Sequence, residues 1–275
     1  MAAKALDEKL NALIAKATTP ERGHPMTDLL DFALQAHGGL DNWKRVAGVD
    51  LRLTLGGYLF ELKQHPDGLR TALVKIDARR PRTLIAPFPE RGKRGIYGER
   101  KVWIQTDAGA MVEELPEPRT AYEGHKRRTP WNDLQYLYFI GYAFWNYFTT
   151  PFLLASDGVT CEEVEPWEEN HQKWRVLKAT FDSSIDTHCA VQKFYFDNRG
   201  MLQRHDYFTD VAKGNASHYC TDYKTFDGFV FPTRRRVVSR GDDEFTATGG
   251  PSSVLIDVES VVVNRALSPS IPLGL

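Results

Sequence analysis

The chain is short of sulfur. Its three cysteines, Cys161, Cys189 and Cys220, are odd in number, widely spaced and outside any CxxC pattern. That argues against a disulfide framework, a zinc knuckle and a dithiol redox site, and leaves reduced thiols of a cytoplasmic protein as the simplest account. Excess charge of either sign is missing too: 35 Lys and Arg meet 36 Asp and Glu, for a formal net charge of -1. A near-neutral chain has no electrostatic footprint for nucleic acid or for an anionic membrane. No apolar run reaches the length of a membrane span; the greasiest region, Leu134 to Ala155, is broken by Asn146 and Pro151. The N-terminus, MAAKALDEKLNALIAKATTPERGH, has acidic residues early and no continuous apolar core, so it does not read as a secretory signal. A soluble, cytoplasmic protein is expected. Also absent are a GxGxxG following a strand, GxxxxGK[ST], HExxH and GxSxG, which lowers the case for a nucleotide enzyme, a zincin or a serine hydrolase. There is no repeat of solenoid length, and no metal or organic cofactor is expected.

What the chain has is aromatic side chains, 6 Trp, 11 Tyr and 15 Phe in 275 residues, enough to build one large core. Leu6, Leu10, Leu13 and Ile14 recur at helical spacing over Ala5 to Ala17. Thr27 is placed to cap a second helix, Asp28 to His37, ended by Gly38-Gly39. From Val49 the pattern turns to short strands punctuated by Gly and Pro: Val49 to Leu55, Tyr58 to Lys63, Thr71 to Asp77, Arg82 to Ile85, Arg94 to Tyr97, Lys101 to Thr106 and Ala110 to Glu114. Pro116 to Pro130 reads as a polar loop. Asp133 to Phe148 then has helical spacing with aromatics nearly all round, a helix or helix pair to be buried on more than one side and stopped by Pro151. Strands return at Gly158 to Val164 and Trp174 to Phe181, with Pro166 to Gln172 as an acidic loop, and Val254 to Val263 closes the sheet.

The densest polar patterning lies between His188 and Arg240, where two hairpins fit. Val191 to Phe196 and Leu202 to Val211 flank Asp197-Asn198-Arg199-Gly200. With Asn198 and Arg199 as the loop residues, Gln192 pairs with His205 and Ala190 with Tyr207. One strand face then carries His188, Gln192, Phe194, Phe196, Gln203, His205 and Tyr207. Ser217 to Phe226 and Phe229 to Arg240 flank Asp227-Gly228, which sets Tyr219 against Arg236, Thr221 against Arg234 and Tyr223 against Pro232. Polar groups among aromatics on one face suit the lining of a barrel cavity; a solvent-facing sheet with ordinary amphipathic residues is the plainer alternative.

Within that cavity His188, His205 and Tyr207 are the candidate acid–base groups, a neutral imidazole beside a phenol being able to move protons near neutral pH. Their alternative is a structural, hydrogen-bonded role. His188, His205 and His218 would make a conceivable metal set, but no short His-x-His pair supports it. Arg234 and Arg236 share one strand face and could clamp a carboxylate, or serve as an edge-strand charge run. Gln192, Tyr219 and, from the aromatic helix, Tyr136, Phe139 and Trp145 complete the candidate ligand-binding set.

The order of N-terminal helix, antiparallel strands, aromatic helix and further strands resembles the LolA/LolB-like lipoprotein-carrier fold. The segments HGGLDNWKRV, WNDLQYLYFIGYAFWNYFTTPF, FYFDNRGMLQRHDY and FDGFVFPTRRRV also look like those of uncharacterised bacterial proteins of similar length. The resemblance implies a mainly β (α+β) fold, a curved antiparallel sheet or half-open β-barrel wrapped around a helical plug. The chain reads as one domain over residues 1–265 with N-terminal helices at 5–37, and 266–275, which holds two Pro, as a poorly ordered tail. A pigment-pathway enzyme of the same fold works without cofactor. Two functions follow as expectations: a binding protein for a hydrophobic or aromatic small molecule, or a cofactor-independent isomerase, cyclase or lyase in the same cavity. A scaffold using exposed aromatic patches is a third.

Overall fold

The structure, a computed structural model, describes residues 28–66, 68–241 and 250–265; the expected helix at 5–17 and the tail lie outside them. Thirteen strands among the described residues form a single antiparallel sheet. In chain order they are β1 (Gly48–Gly56), β2 (Leu69–Asp77), β3 (Thr83–Ala86), β4 (Lys93–Gly98), β5 (Lys101–Thr106), β6 (Met111–Pro116), β7 (Val159–Glu169), β8 (Gln172–Phe181), β9 (Val191–Phe196), β10 (Leu202–Thr209), β11 (Gly214–Phe226), β12 (Phe229–Ser239) and β13 (Val254–Asn264). The spatial order is β6-β5-β4-β3-β2-β1-β13-β12-β11-β10-β9-β8-β7. Each half is a meander of neighbours in sequence, and β13 joins the halves by pairing with β1 on one side and β12 on the other.

Among the described residues four α-helices accompany the sheet: α1 (Asp28–Ala36), α2 (Leu40–Trp43), α3 (Tyr58–Leu62) and α4 (Asp133–Thr149). Helix α4 starts at a capping box, Asn132 accepting from the Gln135 backbone and Gln135 from that of Asn132. It stops where Thr150, preceding Pro151, turns extended. Every residue from Leu134 to Thr149 is buried, as its all-round aromatic pattern demands. Gly141 sits so close to Tyr97 of β4 that any side chain there would collide with it, while the Tyr147 hydroxyl lies 2.8 Å from that of Tyr207 on β10. Strands β4 and β10 are seven places apart in the sheet, about 34 Å if flat at ~4.8 Å per strand. A helix about 10 Å wide reaches both only because the sheet curls around it. The result is a half-open barrel with α4 as its plug.

Helices α1 and α2 pack at one end of β13 and α3 at the other, where the Tyr58 and Leu59 amides meet the Ser252 and Ser253 carbonyls. Gly38 (φ 124°) brings the end of α1 against the β11–β12 turn, where a Cβ would meet the Gly228 carbonyl. Trp43 stacks on Phe152 at 4.4 Å and meets Phe229 edge-on at 5.5 Å.

Two expectations are corrected. Tyr58 to Lys63 is the short helix α3, not a strand: Gly57 takes φ 123°, and the Tyr58 and Leu59 amides turn to the Ser252 and Ser253 carbonyls. Pro166 to Gln172 is not a loop. β7 and β8 run on to Glu169 and Gln172, and Asn170 and His171, both at positive φ, make the turn. The other strands lie within a few residues of where periodicity puts them.

Candidate functional site

The inward faces of β9 to β12, the segment just before β9 and one side of α4 converge on a buried cluster. His188, His205 and Tyr207, singled out from the sequence, meet there. The His188 ring stacks on Tyr207 at 4.0 Å, His205 lies 4.7 Å from Tyr207, and the two histidines are 6.5 Å apart, centroid to centroid. From α4, the Tyr142 hydroxyl is 3.0 Å from His188 Nδ1 and the Tyr147 hydroxyl 2.7 Å from Nε2. A neutral imidazole has one donor and one acceptor nitrogen. His188 therefore donates to one of these tyrosines and accepts from the other, and Tyr147 passes the chain on to Tyr207. His205 Nε2 donates to Gln192 Oε1 at 2.6 Å, and its ring stacks on Phe194 at 4.1 Å.

Burial sets the protonation states. His188 is driven down to about 3 by loss of solvent, with the Arg119 charge adding to the effect. His205 is held well below its ordinary range by burial, then by His188 and Arg235; His218 is likewise held by burial, then by Arg235, His205 and His188. Burial raises Tyr142, Tyr147 and Tyr207. All of these groups are neutral at pH 7, in close contact and shut off from solvent, so the histidines cannot trade protons with bulk water directly. Among the described residues no group of three or more His, Cys, Asp or Glu is placed to hold a metal.

The register explains the gathering. β10 pairs His205 with Phe194, two residues from the expected Gln192. The turn is longer, with the Asp197 amide bonding to the Met201 carbonyl, and a bulge falls between Leu202 and Arg204. A shift of two keeps every face, so His205 and Tyr207 point inward as expected. Gln203 does not: the bulge turns it to Asp197, 3.1 Å away. The second hairpin pairs as read, residue for residue, but its useful face is the other one. Cys220 and Arg235 face α4, with Arg235 2 % exposed. Tyr219, Arg234 and Arg236, expected at the ligand, lie on the outer face. Tyr219 donates to Glu169 at 2.7 Å; Arg234 and Arg236 pair with Asp257, and Arg234 with Asp222 as well. Of the helix candidates only Phe139 touches the cluster, 5.9 Å from His188. Tyr136 points to Phe60 and Phe88, and Trp145 donates to the Asp77 carbonyl on β2.

Solvent reaches this region at the mouth of the half-barrel, where a cavity of about 590 Å³ is lined by Pro81, Tyr97, Pro118, Arg119, Tyr138 and Asp186 among others. Asp186 accepts from Tyr97 at 3.0 Å and from Tyr138 at 2.8 Å. It thereby bridges β4, α4 and the loop before β9, three elements from both halves of the sheet. Arg119 reaches Tyr138, the Thr187 carbonyl and the Asp210 carboxylate. Tyr138 lies 5.1 Å from Tyr142, ring to ring, so the wall of the cavity is one residue thick before the buried chain begins. Arg119 and Asp186 were not found from sequence: one sits in a short 3-10 helix, Pro118–Tyr122, the other in a loop, neither long enough for periodicity, and they are more than sixty positions apart. The tyrosines left a signal, since Tyr138 and Tyr142 are one helical turn apart.

No protein-family model and no curated protein matches the chain. Solved structures do. A LolA superfamily protein from Nitrosomonas europaea and a DUF1329 family protein from Desulfovibrio piger each superpose with a TM-score of 0.50 at 12 % identity, over 87 % of this chain and 93 % of theirs. At that identity the likeness shows the fold: a mainly β, LolA-like half-open barrel.

Proposed function

We propose that the protein binds a small molecule with a hydrophobic or aromatic body at the mouth of its half-barrel. The observation that carries this reading is the 590 Å³ cavity spanning the two halves of the sheet, with tyrosines and prolines for the body and Arg119 and Asp186 for a polar group. No described helix is long and apolar enough to cross a membrane. All three cysteines are unpaired, which suits a reducing compartment, and we place the protein in the cytoplasm. The test is titration with a solvatochromic dye alongside native mass spectrometry. Ser183, exposed on the cavity rim, is replaced in Ser183→Trp to fill it. Wild type should bind one dye per chain and the variant at least tenfold more weakly; equal binding by both refutes the reading.

A second reading, a cofactor-independent enzyme, draws support from the same place. Asp186, held between two phenols inside the cavity, is a base that a substrate can reach, and the Tyr142–His188–Tyr147–Tyr207 chain behind it is a route for protons. On this reading His188, His205 and Tyr207 act through the wall rather than on the substrate. Turnover of any metabolite found by screening should be lost in Asp186→Asn with binding retained.

A further inference from the structure

The near-zero charge of the whole chain conceals a local excess. From Arg70 to Gln105 there are ten Lys and Arg against three Asp and Glu, and this stretch builds β2 to β5, one half of the sheet. Val74, Ile85, Tyr97 and Val102 point inward and are buried, so alternation leaves many of the cations on the convex outer face.

Three of them converge. Arg80 and Arg82 come from the turn between β2 and β3, and Lys101 from the start of β5. With Pro81, Gly98, Glu99 and Trp103 they line a cavity of about 160 Å³. Lys101 stands opposite Gly98 in the β4–β5 pair and Trp103 opposite Ile96. The indole lies over Gly98, where a Cβ would meet it at 3.2 Å, and its Nε1 donates to Gln105 at 3.1 Å. Lys101 Nζ is 5.0 Å and the Arg82 guanidinium 5.7 Å from the centre of a Trp103 ring. An aromatic face gathers cations without neutralising them. Arg80 has Asp77 at 3.4 Å and Lys101 has Glu114 at 3.1 Å, but neither carboxylate lines the cavity, where Glu99 is the one acid among the described residues. Burial, and after it the Arg80 charge, hold Arg82 below its ordinary value, with Asp77 opposing. A guanidinium stays protonated in a protein, so this tension is relieved by added negative charge. Two planar guanidinium forks and an ammonium suit the several oxygens of a phosphate, and the cavity has room for several water-sized groups, enough for a tetrahedral oxyanion.

We propose that Arg80, Arg82 and Lys101 form a phosphate site on the outer face of the half-barrel, beside its mouth. The site uses neither Arg119 nor Asp186, but Pro81 and Glu99 line both cavities. It can therefore take free inorganic phosphate or the phosphoryl end of a molecule whose body lies in the mouth. The test is titration calorimetry and tryptophan fluorescence of the full chain with sodium phosphate, against sodium chloride at equal ionic strength. Wild type should take up one phosphate per chain, saturably, with a change in emission that Trp103→Phe removes while binding remains. Loss of one charge-assisted contact should weaken binding about tenfold in Arg82→Gln and in Lys101→Gln, the latter at a side chain 43 % exposed and so outside the core. Arg91→Gln removes the same charge from the same half of the sheet but outside this cavity, and should bind within about twofold of wild type because distant exposed charges are screened. The site is refuted if phosphate binds no better than chloride, if the emission change survives in Trp103→Phe, or if Arg91→Gln weakens binding as much as Lys101→Gln, which would mean diffuse attraction. 1-Naphthyl phosphate separates the two sources. Binding about tenfold tighter than phosphate, with the gain lost in Ser183→Trp, assigns a phosphomonoester held across both cavities, an assignment that rests on the mouth as a ligand site. Equal affinities, unchanged in Ser183→Trp, assign free phosphate and leave the reading of the mouth to its own test.

Discussion

Acid should unfold this protein well above the range in which carboxylates titrate. His37, His188, His205 and His218 are all at most 5 % exposed. Burial lowers His37 to about 4, against an opposing hydrogen bond to the Ala33 carbonyl, and His188 to about 3; His205 and His218 lie well below the ordinary value. In the unfolded chain each imidazole titrates near 6.5. The folded values are lower, so the unfolded state binds more protons between the two. Stability is therefore complete above about pH 6.5 and falls as pH drops toward the folded values. Each histidine costs about 1.4 kcal/mol per pH unit in that window. Four together lose about 8 kcal/mol by pH 5, comparable with the ~5–15 kcal/mol total of an ordinary domain. Urea unfolding at intervals from pH 8 to pH 5 measures this directly. The slope of the unfolding free energy near pH 5 should correspond to about four protons taken up. His218→Leu should reduce it to about three whatever it does to stability at pH 8, whereas Phe196→Leu, a core change with nothing to titrate, should lower stability and leave the slope alone. A curve flat between pH 7 and pH 5, or a slope unchanged in His218→Leu, would refute the claim that these histidines are buried and neutral.

Two further substitutions test the packing. Gly141→Ala should destabilise by about 1–3 kcal/mol by urea titration although alanine is the better helix former, because its Cβ would overlap Tyr97 where α4 packs on β4. On the outer face Arg204 is 0 % exposed, held by Asp206 at 2.7 Å and Glu169 at 2.6 Å and packed beside Trp167, Tyr195 and Tyr219. Arg204→Met leaves the buried Asp206 with the Tyr195 hydroxyl and a distant Arg240 as its partners and should cost about 3–5 kcal/mol, much of it recovered in Arg204→Met/Asp206→Asn if the carboxylate left without its close cation is the cause.

Local chemistry made the hairpins legible. Asp227-Gly228 leaves a two-residue turn little choice, and Tyr219–Arg236, Thr221–Arg234 and Tyr223–Pro232 pair as that turn dictates. Asp197 to Gly200 is less restrictive. The chain spent one more residue in the turn and a bulge at Gln203, yet parity saved the assignment of His205 and Tyr207 to the inside. Alternation also told that Arg235 faces opposite to Arg234 and Arg236. What it could not tell was which face is concave, because that depends on β13 joining β1 to β12 and on where α4 lies, both long-range facts. Choosing the pair over the single arginine was the consequence. Tyr58 to Lys63 failed for a different reason: six residues are too few for periodicity to separate a turn of helix from a strand, and the helix is decided by Gly57 and by contacts to Ser252 and Ser253.

The polarity of the interior bears on what the half-barrel can select. A plug and sheet built to shelter a purely apolar molecule would present apolar side chains inward along every strand. Here β10, β11 and β12 present His205, Tyr207, His218, Cys220 and Arg235, and the cavity at the mouth presents Arg119 and Asp186. Leaving a buried donor or acceptor without a partner costs about 1–3 kcal/mol, and more when it is charged. A molecule with no polar end can satisfy none of them, whereas one with an anionic end at the mouth can meet Arg119. Discrimination by this barrel is thus set less by the size of the apolar body, where one methylene changes binding by about 1 kcal/mol, than by the charge and hydrogen-bonding capacity of the head group. A series of ligands matched in apolar surface but ending in carboxylate, amide or methyl should separate by at least tenfold per step in that order in wild type, and collapse toward a single affinity in Arg119→Met.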